Sequence, residues 1–253
     1  ISASTSPDVQ SGQSVTLAYN AAMPAILAIE TSAEAGSIAL LARDAVVERR
    51  APAGTPHSGW VLPAIHAMLA EAGIGLASLD AIAFGAGPGS FTGLRLACGI
   101  AQGLALGADL PVVAACSLEA IALAAGPGEV WVGIDARMRE MYFAAYAVTG
   151  DEARILIEPA CAAPELVQPP EAGRWNAAGS AFQTYAELLV PRFAPVAASM
   201  RPDLTATAGW VARIGALEYS RGRAVDPAFA APLYVRDKVA LTTAERLARG
   251  GRA

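Results

Sequence analysis

The chain has 253 residues, 54% apolar and 16% charged, with 23 acids against 18 bases for a formal net charge of −5. That length holds one large domain or two smaller ones, and its apolar content offsets the entropy of ordering, which excludes disorder for the body. Residues 1–191 carry 8 bases and 18 acids and residues 192–253 carry 10 bases and 5 acids, so a polybasic nucleic-acid binder is excluded, and only the arginine-rich end from Arg192 to Arg252 suits RNA or an acidic partner.

Residues 1–23 read as a polar extension. They carry no Lys or Arg and no continuous apolar run, so a secretory signal is not expected, and Met23 is the expected native start. A first domain is expected over residues 24–125. Strands are predicted at Ala25 to Ile29, Ser37 to Ala42 and Ala45 to Arg49, then a helix at Ser58 to Ala72 and a strand at Ala81 to Phe84. A glycine-rich turn leads into a long helix to Gly107, a strand at Pro111 to Ala115, and a helix from Ser117.

A second domain is expected over residues 126–240, repeating this order, with a basic flexible tail over 241–253. Its strands are predicted at Val130 to Ile134, Met141 to Val148, Arg154 to Ile157 and Trp175 to Ala178. Its helices are predicted at Pro164 to Val167, Phe182 to Leu189 and Ala208 to Arg221. Three antiparallel strands followed by alternating helix and strand define an α/β ribonuclease H-like unit, and its duplication gives the three-layer actin, sugar kinase and Hsp70 architecture.

Between a predicted strand and helix lies Gly85-Ala86-Gly87-Pro88-Gly89-Ser90-Phe91-Thr92-Gly93-Leu94-Arg95. Gly87 and Gly89 allow close backbone approach, Ser90 or Thr92 can cap the helix, and the free N–H groups there suit an anion. A tight turn that needs only a cap and positive φ angles fits equally well. No Walker A lysine follows, and Pro88 breaks the GxSxG pattern of a nucleophile elbow. Glu30, Thr31 and Ser32 end the first strand where actin-like enzymes place an acid and hydroxyls around a metal-bound phosphate, whereas Asp135-Ala136-Arg137 in the second half lacks a glycine for the same purpose.

Two helices are unusually apolar. Trp60, Val61, Leu62, Ile65, Met68 and Leu69 leave few wet positions on the first, which His57 begins. The second carries small-residue stripes at four-residue spacing, Gly93, Ala97, Ala101, Ala105 and Gly99, Gly103, Gly107, which permit close helix approach. His57, Trp60, Val61, Leu62, Ile65, Met68 and Leu69 of the first and the Gly93, Ala97, Ala101, Ala105 stripe of the second are expected to form a protein interface.

Catalytic equipment is poor. His57 and His66 are too far apart for a same-face metal pair, no Cys/His cluster exists, and Cys98, Cys116 and Cys161 read as reduced thiols of a cytoplasmic protein. No metal or intrinsic cofactor is expected. The apolar stretch Leu96 to Leu110, broken by Gln102 and Asp109, is too short for a membrane span. An actin-fold ATPase or kinase and a peptidase-like enzyme are the competing readings.

ILAIETS at Ile26 to Ser32, the segment Gly85 to Pro111, IDARMREMYFAAY at Ile134 to Tyr146 and APLYVRDKV at Ala231 to Val239 together resemble the bacterial TsaB (YeaZ) family. The resemblance implies a non-catalytic partner of TsaD, which transfers threonylcarbamoyl from threonylcarbamoyl-adenylate to the adenosine 3′ to the anticodon of ANN-decoding tRNAs. It further implies that the two apolar helices dock on TsaD, that TsaE joins, that the tRNA is met through the complex, that ATP or ADP sits at the partner interface, and that the same face forms a homodimer without TsaD. Glu30 stands where the family more commonly has aspartate.

Overall fold

The computed structural model describes residues 23–236; the greater part of the expected extension and all of the expected tail lie outside them. The first sheet is built from β1 (Ile26–Glu30), β2 (Ser37–Ala42), β3 (Ala45–Arg50), β4 (Ala81–Gly87) and β5 (Val112–Cys116) in the order β3-β2-β1-β4-β5. β1, β2 and β3 run antiparallel, and β4 and β5 continue parallel to β1. The second sheet holds β6 (Gly128–Asp135), β7 (Met141–Thr149), β8 (Glu152–Ala162), β9 (Trp175–Ala178) and β10 (Ala197–Arg201) in the order β10-β9-β6-β7-β8. Strand for strand the two orders match, so the fold is the duplicated ribonuclease H-like α/β architecture.

Strand periodicity explains the layers. Leu27 and Ile29 of β1 face outward beneath α1 (His57–Ala72) and α2 (Phe91–Ala108), meeting Val61, Ile65 and Met68 of the one and Ala97, Ala101 and Ala105 of the other. Ile26 and Ala28 face the interior layer formed by α3 (Ser117–Ala125) and α6 (Ala208–Ser220), which also covers Val130, Val132 and Ala144 of the second sheet. The outer face of that sheet packs Trp131 and Ala177 against α4 (Ala181–Thr184) and α5 (Ala186–Phe193), through Phe182, Leu189 and Phe193.

α6 follows the second sheet in sequence yet packs chiefly on β1, β2 and β4 of the first, so residue 125 divides the sheets but not the helices. Its arrival is chemically specified: Ser37 Oγ accepts from Ala208 N at 2.8 Å, and Glu48 Oε2 accepts from Thr207 Oγ1 and Gly209 N at 2.9 and 2.8 Å. A carboxylate at a helix N-terminus satisfies orphan N–H groups and complements the dipole.

Three sequence expectations need correction. The predicted helix at Pro164 to Val167 is a single 3-10 turn, Pro164–Leu166. The helix at Phe182 to Leu189 breaks at Tyr185, whose ψ of 35° leaves the helix and aims its hydroxyl at Asp135. β10 was not anticipated, because its small residues in Ala197-Ala198-Ser199-Met200-Arg201 carry little strand propensity; parallel pairing with β9 makes it a strand.

Glu119 on α3 is a titratable group within this packing. Burial, the largest cause, with Glu218 nearby, pushes its carboxyl up to about 7. A carboxyl raised in the folded state binds its proton more tightly there than when unfolded, so its contribution is fully present below the unfolded pKa and is lost as pH rises through 7. Unfolding free energy is expected to fall by on the order of 2–3 kcal/mol between about pH 5 and about pH 8. Denaturant titrations of wild type and Glu119→Gln at both pH values check this, the variant showing a flatter profile.

Candidate functional site

Glu30 closes β1 and is fully buried. Its Oε1 accepts from Ser32 N at 2.5 Å and its Oε2 from Ser117 Oγ at 2.9 Å. Burial raises its carboxyl above the ordinary carboxylate range, against the lowering effect of the Ser32 and Ser117 hydrogen bonds. A Cβ at Gly85 would stand 1.9 Å from Glu30 Oε2, so the missing side chain on β4 is the space the carboxylate fills. Glu30 is turned onto the neighbouring strand and does not line the cleft.

The rest of the glycine turn interlocks with the same segment. Thr31, also buried, donates from Oγ1 to Gly93 O at 2.7 Å, and Ser90 N donates to Ser32 O at 3.0 Å. A Cβ at Gly93 would lie 1.9 Å from Thr31 O, and one at Gly89 would lie 2.7 Å from Ser32 Cβ. Gly87 has φ +111° and packs on Leu94 and on the carbonyl of Leu233. Ser90 is the N-cap of α2, accepting from Gly93 N at 3.4 Å, while Thr92 is exposed. Arg95 lies over the Phe91 ring with its carbon 3.9 Å from the centroid, and its Nε donates to Tyr234 at 3.2 Å.

Between the halves opens a cleft of about 1290 Å³ whose walls include Ser32, Thr92, Ser117, Arg137, Ser180 and Arg236. Across it, Asp135 ends β6 as Glu30 ends β1, and its Oδ1 accepts from Tyr185 Oη and Arg137 N, both at 2.9 Å. Ser180 Oγ accepts from Asp135 N at 3.1 Å, and a Cβ at Gly179 would stand 2.3 Å from Gly133 O. The second-half glycine that the sequence reading did not find is therefore Gly179. Its signal was legible: Gly179-Ser180 lies between strand and helix as Gly89-Ser90 does.

Catalytic pairing is not assembled by the groups singled out. His57 Nε2 accepts from Gly36 N at 3.0 Å and locks the β1–β2 turn at the cleft side of α1, so His57 belongs to the cleft and not to the helix face named with it. Among the described residues no group of three or more His, Cys, Asp or Glu is placed to hold a metal ion.

The expected interface residues divide. Val61, Ile65, Met68, Gly93, Ala97, Ala101 and Ala105 are buried within the chain, and Trp60 and Leu69 are half-buried. The first small-residue stripe therefore serves α2's contact with its own sheet. The second faces outward: a Cβ at Gly99, Gly103 or Gly107 would meet no atom within 4 Å. Beside it Leu106 is 77% exposed and Leu62 of α1 is 48% exposed. A groove of about 480 Å³ between the helices is lined by Leu62, His66, Leu69, Ala70, Ile74 and Leu104. α2 is also the one helix among the described residues long and apolar enough to cross a membrane; here its other face packs on the first sheet.

The fold and the self-filled junction define the class: a duplicated ribonuclease H-like protein whose first-half acid is spent on internal packing. A family model described as TsaD, tRNA N6-adenosine threonylcarbamoyltransferase, matches residues 51–208. The Escherichia coli tRNA threonylcarbamoyladenosine biosynthesis protein TsaB is 34% identical over 85% of this chain and 96% of its own length. The Haemophilus influenzae TsaB is 46% identical over 47% of this chain, an alignment spanning about half, 52%, of that relative. A solved structure titled YeaZ from Pseudomonas aeruginosa superposes with a TM-score of 0.76 at 33% identity, covering 84% of this chain and 100% of that one. The chain belongs to the TsaB (YeaZ) family.

Proposed function

We propose that the chain is the non-catalytic scaffold and activating subunit of a complex that transfers threonylcarbamoyl from threonylcarbamoyl-adenylate to the adenosine 3′ to the anticodon of ANN-decoding tRNAs. On this reading TsaD carries the chemistry, TsaE joins as an ATPase, and the outward faces of α1 and α2 receive TsaD. The observation that carries the proposal is the open face of Leu62, Leu106, Gly99 and Gly103, an apolar strip with backbone access, in a chain that matches the TsaD model. A partner built on the same plan presents equivalent helices, so two such faces meet about a local twofold axis. The same geometry lets two copies of this chain pair when TsaD is absent.

The junction supports a scaffolding role over an ATPase. Glu30 is buried, committed to Ser32, Ser117 and the Gly85 gap and absent from the cleft wall, while Asp135, on that wall, has its Oδ1 taken by Tyr185 and the Arg137 N–H. The test is reconstitution of tRNA threonylcarbamoylation with this chain omitted and restored: turnover is expected only when it is present. Equal turnover by TsaD without it overturns the proposal, and saturable ATP hydrolysis by the isolated chain would favour the ATPase reading.

A further inference from the structure

The turn after β6 has no part in the proposed docking face, yet it holds the longest run of non-glycine residues at positive φ among the described residues. Arg137, Met138 and Arg139 occupy the left-handed region in succession, at φ 59°, 58° and 60°. Non-glycine residues visit this region singly, and three in a row need support from outside the turn. Asp135 accepts the N–H of Arg137. From the segment after α6, Arg236 donates to Ala136 O at 2.9 Å and to Arg137 O at 3.4 Å, and pairs with Glu140 at 2.7 Å.

This support holds two cations in water. The Arg137 side chain is 89% exposed, with only a 3.4 Å contact to Asp135, and Arg139 is exposed beside it. The carboxylates flanking the turn in sequence are already engaged, Asp135 by Tyr185 and Glu140 by Arg236. Two residues before Arg236, Tyr234 is half exposed, with its ring centroid 6.2 Å from that of Phe91.

We infer that the Arg137–Arg139 turn is a phosphate-backbone contact for the tRNA, with Tyr234 as the adjoining ring on which an unpaired base stacks, beside Phe91, over which Arg95 already lies. The inference rests on the tRNA-modification reading above. Exposed arginines beside aromatic rings match RNA, whose phosphates take guanidinium pairs and whose bases take flat apolar faces. An acidic protein partner would use the arginines and leave the rings idle.

The test uses the full chain, alone and with TsaD, and an unmodified tRNA transcript. Arg137→Ala/Arg139→Ala is expected to weaken tRNA binding by about tenfold and to flatten the log–log salt dependence by about two. Arg137→Lys/Arg139→Lys should restore most of both, and assembly with TsaD on a sizing column should be unchanged. Unaltered tRNA affinity and salt slope in the alanine variant overturn the inference. So does loss of TsaD assembly in its place, which would make the turn a protein contact. Because binding is read directly, a failed modification assay would refute the functional reading without deciding this one.

Discussion

Gly93→Ala is expected to destabilise the chain by about 3 kcal/mol, at the upper end of what overpacking costs. The new methyl would sit 1.9 Å from the Thr31 carbonyl oxygen, a buried backbone atom immediately after β1 that cannot rotate aside. Relief requires α2 to slide away from the sheet, which breaks the Thr31 Oγ1 to Gly93 O bond and unseats Ala97 and Ala101 from the core. Gly103→Ala, on the outward face of the same helix, meets no atom within 4 Å and should stabilise by about 0.5–1 kcal/mol through helix propensity alone. Denaturant midpoints of the two variants check the contrast. Equal midpoints would mean that the junction is looser than its geometry requires.

Leu106→Glu should raise the dissociation constant for TsaD by at least about 100-fold, near 3 kcal/mol, because an unpaired carboxylate would be buried wherever the two faces meet. Leu106 is 77% exposed in the isolated chain, so far-UV circular dichroism and thermal midpoint should not change. Gly103→Leu sharpens the test by moving two properties in opposite directions: it adds helix propensity to the free chain and blocks close approach of a partner helix. Ile65→Asp cannot serve, since Ile65 is 3% exposed within the chain's own core and a charge there unfolds the protein. Isothermal titration against TsaD decides, and unchanged affinity in Leu106→Glu removes the α1–α2 face from the proposal.

Much of the fold was legible because its elements are clearly marked. Short apolar runs such as Ile26-Leu27-Ala28-Ile29, closed by polar or small-residue turns, mark strands, and the four-residue stripes of α2 mark a helix with two small faces, whereas a run apolar at every position does not say which side chains face which layer. What spacing could not state was which stripe meets the chain's own sheet. Gly93, Ala97, Ala101 and Ala105 were assigned to a partner because small residues permit close approach, but the structure gives that approach to β1 and β4 and leaves Gly99, Gly103 and Gly107 open. Leu106 went unselected although it borders the open stripe. β10 and the Tyr185 break were hidden for a related reason: weak local propensity is overridden by pairing with β9 and by the hydrogen bond to Asp135.

By itself the sequence determined the duplicated strand-and-helix order, the pairing of Glu30-Thr31-Ser32 with a glycine turn as the distinctive elements, and the uneven placement of charge. These follow from local rules, namely side-chain period, turn chemistry and composition. Only the tertiary structure decided what the glycines are for. Gly85, Gly89 and Gly93 make room for Glu30, Ser32 and Thr31, contacts that join residues more than 50 positions apart. It also brought Arg236 behind the left-handed turn of Arg137 to Arg139, 100 residues earlier in the chain for Ala136. Such juxtapositions depend on how the sheets and the interior helices stack, and one-dimensional spacing carries no record of that.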